Sequence, residues 1–197
     1  MEMSEAAERF RVTSEGFLAR IMAVRADQWD NATPCPRWTV RDVVGHVINE
    51  QRRTLAQVRG IEPAPLHGIG VAEMGALPEI AADADPAAAW KHLGDGLAAA
   101  IDDPACLAAE IPTFQGPRPF REIVDILPED VLIHTWDVAR GIGGDERLDP
   151  GVVAFVHEHL LPMDEALRQP WAFGPKVTAP ADADPQTEFL CFVGRRP

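Results

Sequence analysis

The sequence predicts an all-α protein built as an antiparallel helical bundle. Apolar residues recur every three to four positions in four or five segments of about 15 to 24 residues, which is the spacing of amphipathic helices. Several of these segments begin at recognisable capping signals, and most connections are of short to medium length. A chain of 197 residues, 46% of them hydrophobic, is long enough to bury a sizeable core in one domain.

The first two helices are predicted in the N-terminal third of the chain. The first covers about residues 5–26 and is followed by a proline-punctuated loop. The second begins at Thr39, where Asp42 completes a capping box, and it ends at Gly60. Residues 61–84 are rich in proline and glycine and show little periodicity, so they predict a long loop that is a plausible lid.

The remaining helices follow proline and aspartate signals. A third helix opens at Asp85-Pro86, and a fifth opens at Asp149-Pro150. Between them the stretch "IPTFQGPRPF" predicts a partly extended linker, and a fourth helix covers about 119–142, which Pro128 either kinks or restarts. The tail predicts an extended piece at 176–178 and a short helix near 185–193. Residues 1–168 are therefore expected to form the bundle, and 169–197 a C-terminal extension packed on it.

Charge and cysteine content exclude several classes of partner. The 18 basic and 31 acidic residues give a net charge of −13, which disfavours nucleic acid and anionic membranes. The three cysteines are far apart and suit a reducing cytoplasm, where small buried thiols are the expected role. Cys35 lies in a loop and could be a reactive thiol, but the sequence shows no basic neighbour with a clear activating role. No signal peptide or membrane-spanning run is predicted, so we expect a cytoplasmic protein.

An acid and an imidazole interrupt the apolar face of the fourth helix, in "DVLIHTWDVAR". On a helical wheel His134 lies within the apolar stripe and Asp130 on its shoulder, and residues four apart reach a common point. An uncompensated charge there would cost several kcal/mol. Three compensations are open: a hydrogen bond between the two side chains, hydrogen bonds to a neighbouring helix, or a shared cation.

A third ligand would favour the cation. His46 and Glu50 lie on the flank of the second helix, where they form either an exposed pair or part of a site facing a cleft between helices. Periodicity alone does not select His46. The other histidines are placed by the sequence in the long loop, on a solvent side, or on diverging sides of one helix: His67, His92, His157 and His159.

Other polar and aromatic residues near this motif have competing interpretations. Asp137 and Arg140 are expected to pair along the helix, either orienting the ligand helix or forming an ordinary surface ion pair. Trp38 and Trp136 can line a pocket, although core packing is the favoured interpretation.

Three segments together resemble a known family: "TPCPRWTVRDVVGHV", "HTWDVARGIG" and "FGPKVTAPADADP…FVGRRP". They are similar to the actinobacterial branch of the DinB/YfiT-like metal-binding superfamily, which is related to the N-terminal domain of mycothiol-dependent maleylpyruvate isomerase. The resemblance implies a four-helix bundle with up-down-down-up topology. It also implies a divalent metal, commonly zinc or nickel, held by His46, Asp130 and His134. The family usually has histidine or glutamate at position 130, and the shorter aspartate changes the ligand reach.

The resemblance also implies a function. A metal-bound thiolate of mycothiol would attack a small electrophile, which makes the chain a mycothiol-dependent S-transferase or isomerase with a small-molecule substrate. Dimerisation of related bundles also suggests a homodimer. Two alternatives remain open. A metal-dependent hydrolase would activate water with Glu50 or Glu129 as general base, and a non-catalytic bundle would bind a small molecule without turnover.

Overall fold

The computed structural model describes residues 3–62, 85–113, 116–168 and 173–197. Within these ranges the chain is mostly helical, with seven α-helices and one small two-stranded sheet, so the coarse prediction of a mainly helical protein is confirmed. The predicted lid and His67 lie largely or wholly in 63–84, outside the described residues. In the described ranges, no helix is long and apolar enough to cross a membrane.

Seven helices and two strands follow one another along the chain. The antiparallel strands are β1 (Glu110–Thr113) and β2 (Gly116–Pro119), in a register that places Ile111 opposite Arg118. The helices are α1 (Glu5–Ala23), α2 (Val40–Val58), α3 (Pro86–Ile101), α4 (Pro104–Leu107), α5 (Leu127–Ile142), α6 (Pro150–Leu160) and α7 (Pro185–Phe192).

The capping signals in the sequence mark the true helix starts. Thr39 and Asp42 form the predicted capping box of α2. The Asp85 carboxylate accepts a hydrogen bond from the Ala88 amide at 3.0 Å, and the Asp149 carboxylate accepts one from the Val152 amide at 2.9 Å. These side chains satisfy amide groups that a helix leaves free in its first turn, which is why such local signals are dependable.

One predicted helix boundary is wrong. The predicted helix over 119–142 begins at Leu127, because Gly116–Pro119 form β2 and Phe120–Glu122 form a 3₁₀ turn. Pro128 therefore restarts the helix in its first turn, where the missing amide costs nothing. In the tail, the described residues at 176–178 belong to no regular element, and the Val177 amide donates to the Cys191 carbonyl at 3.0 Å. The extended piece predicted there stays a prediction.

Helix α5 lies between two apolar cores. In the first core, α1 and α2 both pack against α3 and α5; in the second core, α5 contacts α6, which packs on α7. Every residue from 131 to 139 is buried as a result. A helix enclosed on all sides carries its polar residues into the interior, where each must be paired.

Candidate metal centre

Three side chains from two helices meet beside the first core. His46 comes from α2, whereas Asp130 and His134 stand one turn apart on α5. His134 Nε2 lies 3.2 Å from Asp130 Oδ1, and His46 Nε2 lies 3.3 Å from Asp130 Oδ2. One donor atom from each residue falls within 4.8 Å of the others. We call these residues the trio.

The spacing of the trio fits a metal ion. Donors about 2.0–2.2 Å from a tetrahedral zinc ion stand about 3.3–3.6 Å apart. The two measured distances are close to this value but run to different oxygens of Asp130, so the carboxylate would turn one oxygen toward a bound cation. Within the described part of the chain, Asp130 Oδ2 and His46 Nδ1 are buried and have no hydrogen-bond partner. A buried carboxylate oxygen without a donor is the kind of atom that a cation satisfies.

The charges of the trio depend on one another. Burial alone would raise the pKa of Asp130, but the charges of His134 and His46 outweigh burial and hold the pKa well below its usual range. Burial would likewise lower the pKa of His134, but Asp130 holds that pKa well above its ordinary value. The negative charge of Asp130 can therefore be balanced in either of two ways, by a proton on the His134 imidazole or by a divalent cation.

The second ring nitrogen of His134 is held from behind by Asp137. His134 Nδ1 lies 2.9 Å from Asp137 Oδ2, and Asp137 is fully buried. Arg195 donates to both carboxylate oxygens, from Nε to Oδ1 at 3.0 Å and from Nη2 to Oδ2 at 2.7 Å. Burial would raise the pKa of Asp137, but the Arg195 charge keeps it well below its usual range.

The predicted Asp137–Arg140 pair is wrong. Arg140 is exposed and donates to Glu146 at 2.9 Å, with its guanidinium over the Trp136 ring. Asp137 points inward because α5 is covered on both sides, whereas the wheel analysis assigned only one buried face. Arg195 could not be found from local spacing, since it lies at the far end of the chain.

Cys35 also joins this group, where it contacts Arg195, a basic partner that the sequence did not indicate. Its Sγ donates to Asp137 Oδ2 at 3.2 Å and accepts from Arg195 Nη2 at 3.3 Å. Cys35, His134 and Asp137 offer a second set of donor atoms with cation-like spacing. That set fits a cation less well, because the Arg195 guanidinium already neutralises Asp137 and would repel a second positive charge.

Trp38 lines the trio, whereas Trp136 belongs to the core as predicted. The Trp38 ring centroid lies 4.9 Å from that of His46 and 6.1 Å from that of His134. Trp38 is half-buried, and the preceding Arg37 adopts a left-handed backbone with φ 71°. Trp136 is 1% exposed. Trp38 also packs against the first core, so it belongs to the core and borders the trio at the same time.

Two further carboxylates flank the trio. Burial raises the pKa of Glu129 to about 8, and the charge of Asp130 contributes. Burial also raises the pKa of Glu50, against the charge of His46, with Asp130 adding to the rise. Both side chains are partly buried. The remaining described histidines lie elsewhere, on the exposed face of α3 or on α6: His92, His157 and His159.

The fold and the trio define a class: a mainly helical protein with a candidate metal centre between two helices. Comparison with known sequences gives the family. The chain belongs to the family of the mycothiol maleylpyruvate isomerase N-terminal domain, which matches residues 10–139. That range includes the whole trio, but it ends before Arg195.

Two relatives and one solved structure are also similar to this chain. Two Mycobacterium tuberculosis proteins, uncharacterized protein MT0763 (strain CDC 1551 / Oshkosh) and uncharacterized protein Rv0738 (strain ATCC 25618 / H37Rv), are each 30% identical over 189 residues. The match covers 92% of this chain and 92% of each relative. The crystal structure of the mycothiol-dependent maleylpyruvate isomerase has a similar fold, with a TM-score of 0.52 and 12% identity over 89% of this chain and 74% of that one. A DinB-like fold is consistent with this likeness.

Proposed function

We propose that the chain binds a divalent metal and acts with mycothiol on a small electrophile, as an S-transferase or an isomerase. Two findings support the proposal: membership of the mycothiol maleylpyruvate isomerase N-terminal domain family, and the trio. The low-molecular-weight thiol and the small-molecule substrate are carried over from the family description.

The observation that carries the proposal is the convergence of three donors from two helices. Two imidazole nitrogens and one carboxylate suit Zn²⁺, with Ni²⁺ as the alternative. Three protein ligands leave a coordination position open, which is the arrangement of catalytic sites and not of structural ones. When bound, such a cation lowers the pKa of a thiol, so that thiolate is available at neutral pH.

The chain's own residues supply orientation and shelter. Asp137 fixes the ring of His134, and the Trp38 indole covers the two imidazoles on one side. Glu50 and Glu129 would carry protons beside the trio, and burial, which raises the pKa of both side chains, supports this role. We also propose that α1, α2, α3 and α5 form a DinB-type four-helix bundle with up-down-down-up order, and that residues 169–197 form an extension packed on it.

Titration of mycothiol into zinc-loaded protein tests the proposal, followed by conjugation assays with a panel of small electrophiles. We expect saturable mycothiol binding and conjugation in the wild type, both lost in His46→Ala. The control is His92→Ala, which removes an exposed histidine from α3. Loaded protein that neither binds mycothiol nor conjugates any electrophile would contradict the proposal.

The same assays separate the two alternatives. Ester or amide hydrolysis without any thiol, lost in Glu50→Gln or Glu129→Gln, would identify a metal-dependent hydrolase. Tight small-molecule binding with no turnover would identify a non-catalytic binding protein.

A further inference from the structure

We propose that Arg195 is a positioning residue of the metal centre, which acts through Asp137 to fix His134 with its Nε2 facing the other two ligands. The C-terminal tail would then complete a site otherwise built from α2 and α5. The effect of Arg195 on metal affinity rests on the proposed function, whereas its effect on the orientation of the His134 ring does not depend on a metal.

Arg195 and Asp137 form a bidentate ion pair. Nε and Nη2 of the guanidinium face Oδ1 and Oδ2 of the carboxylate, at 3.0 and 2.7 Å. This fork geometry fixes the plane of the carboxylate as well as its position. Lysine could supply the charge but not the second contact.

Asp137 needs this partner because it is 0% exposed. Three groups contact its Oδ2 at hydrogen-bond distance: the Arg195 guanidinium, His134 Nδ1 at 2.9 Å and the Cys35 thiol at 3.2 Å. Without the guanidinium, the carboxylate would lose the two contacts that fix its plane, and rotation would become favourable. Rotation would move the acceptor oxygen away from His134.

The acceptor determines which ring nitrogen of His134 is free. A carboxylate at Nδ1 keeps a hydrogen on that nitrogen and leaves the Nε2 lone pair for a cation, as in other carboxylate–histidine–metal arrangements. His134 Nε2 is the atom that lies 3.2 Å from Asp130 Oδ1. The orientation imposed at Nδ1 therefore sets the direction of the ligand atom.

The fold places Arg195 rigidly enough for this role. Helix α7 ends in the second core, where Phe189, Leu190 and Val193 are fully buried. Gly194 then adopts φ +81°, and the Arg195 amide donates to the Leu190 carbonyl at 2.8 Å. This turn reverses the chain immediately after the helix and sends the next side chain back toward α5.

Zinc affinity of four variants tests the coupling. Arg195→Gln and Asp137→Asn are each expected to weaken binding by about 10–100-fold, the usual effect of removing such a partner. The double variant is expected to lose little more than either single one, since both break one chain of contacts. Arg196→Gln removes the same charge from the exposed neighbouring position and should stay within about 2-fold of the wild type. Wild-type affinity in Arg195→Gln would overturn the proposal.

A second measurement is independent of metal. In metal-free protein with ¹⁵N-labelled histidine, the Nδ1–H of His134 is expected to be hydrogen-bonded and protected from exchange in the wild type and in Arg196→Gln. In Arg195→Gln this protection should be lost, and Arg195→Lys should restore part of it. If the wild type bound no zinc, the proposed function would fail, but the exchange protection of His134 Nδ1–H would still decide the role of Arg195. Unchanged protection in both Arg195→Gln and Arg195→Lys would overturn the proposed positioning role.

Discussion

His46 Nε2 on α2 lies 3.3 Å from Oδ2 of Asp130 on α5, so one carboxylate joins two helices that are far apart in the sequence. Its other oxygen lies 3.2 Å from His134 Nε2. The carboxylate thus stands between two imidazoles, and in the described structure its buried Oδ2 has no hydrogen-bond partner. This arrangement makes Asp130 the residue on which the charge of the site depends.

Asp130→Asn is expected to weaken zinc binding by at least about 10-fold, because a neutral amide oxygen replaces the only anionic ligand. Asp130→Glu should retain binding, since it keeps the charge with a longer reach. Competition with a chromogenic chelator measures both affinities, and Asp95→Asn on the exposed face of α3 is the control. Equal affinity in Asp130→Asn and Asp95→Asn would exclude Asp130 as a ligand.

Trp38 should report metal binding by its fluorescence, because its ring lies against both site imidazoles, 4.9 and 6.1 Å away between centroids. Titration with paramagnetic Ni²⁺ is expected to quench part of the tryptophan emission in the wild type. Trp38→Phe should lack this part, and Trp29→Phe should keep it. Identical quenching in Trp38→Phe would show that the cation binds elsewhere.

Local signals predicted much of the fold. Thr39, Asp85 and Asp149 mark helix starts because their side chains bond to amides within the same turn. The start of the fourth predicted helix was wrong because Phe120 and Ile123 keep helical spacing although the chain there forms a strand and a 3₁₀ turn. Spacing alone cannot separate these conformations over a few residues.

The site was predictable only where its residues are neighbours in the sequence. Asp130 and His134 stand four apart, so their meeting follows from helix geometry. Periodicity left His46 open, and it entered the ligand set through the family resemblance. Arg195 and Cys35 reach Asp137 only through tertiary packing, and no local pattern connects them.

Two glycine variants should change the free energy of unfolding in opposite directions. Gly194→Ala is expected to lower it by more than about 1 kcal/mol, since Gly194 has φ +81° and an added Cβ would lie 2.6 Å from the Phe173 carbonyl oxygen. Gly16→Ala in α1 should raise it by roughly 0.5–1 kcal/mol, because an added Cβ there meets nothing within 4 Å. Urea denaturation measures both changes, and a loss of stability in Gly16→Ala equal to that in Gly194→Ala would contradict this account.

His157 should make the stability sensitive to acid. The centroid of its ring lies 5.2 Å from that of Phe192 on α7. Burial lowers the pKa of His157; the charge of Glu188 opposes this shift, and the charge of Lys176 adds to it. The unfolded chain therefore binds a proton at higher pH than the folded chain. The contribution is complete above about pH 6.5 and is lost as the pH falls through that value toward the lower folded pKa.

The comparison variant is His157→Gln, which cannot take up the proton. Between about pH 7.5 and about pH 5.5, the wild type should lose more free energy of unfolding than His157→Gln. His92→Gln, at an exposed position, should behave like the wild type. Equal losses in all three proteins would show that His157 has the same pKa in the folded and unfolded chain.

The most direct measurement is elemental analysis of untagged protein beside His46→Ala, His134→Ala and the control His92→Ala. We expect about one zinc or nickel ion per chain in the wild type and in His92→Ala, and a loss of metal in the two site variants. A wild type that holds no metal even after reloading would contradict the account. Asp130 and His134 would then be a hydrogen-bonded pair within the core.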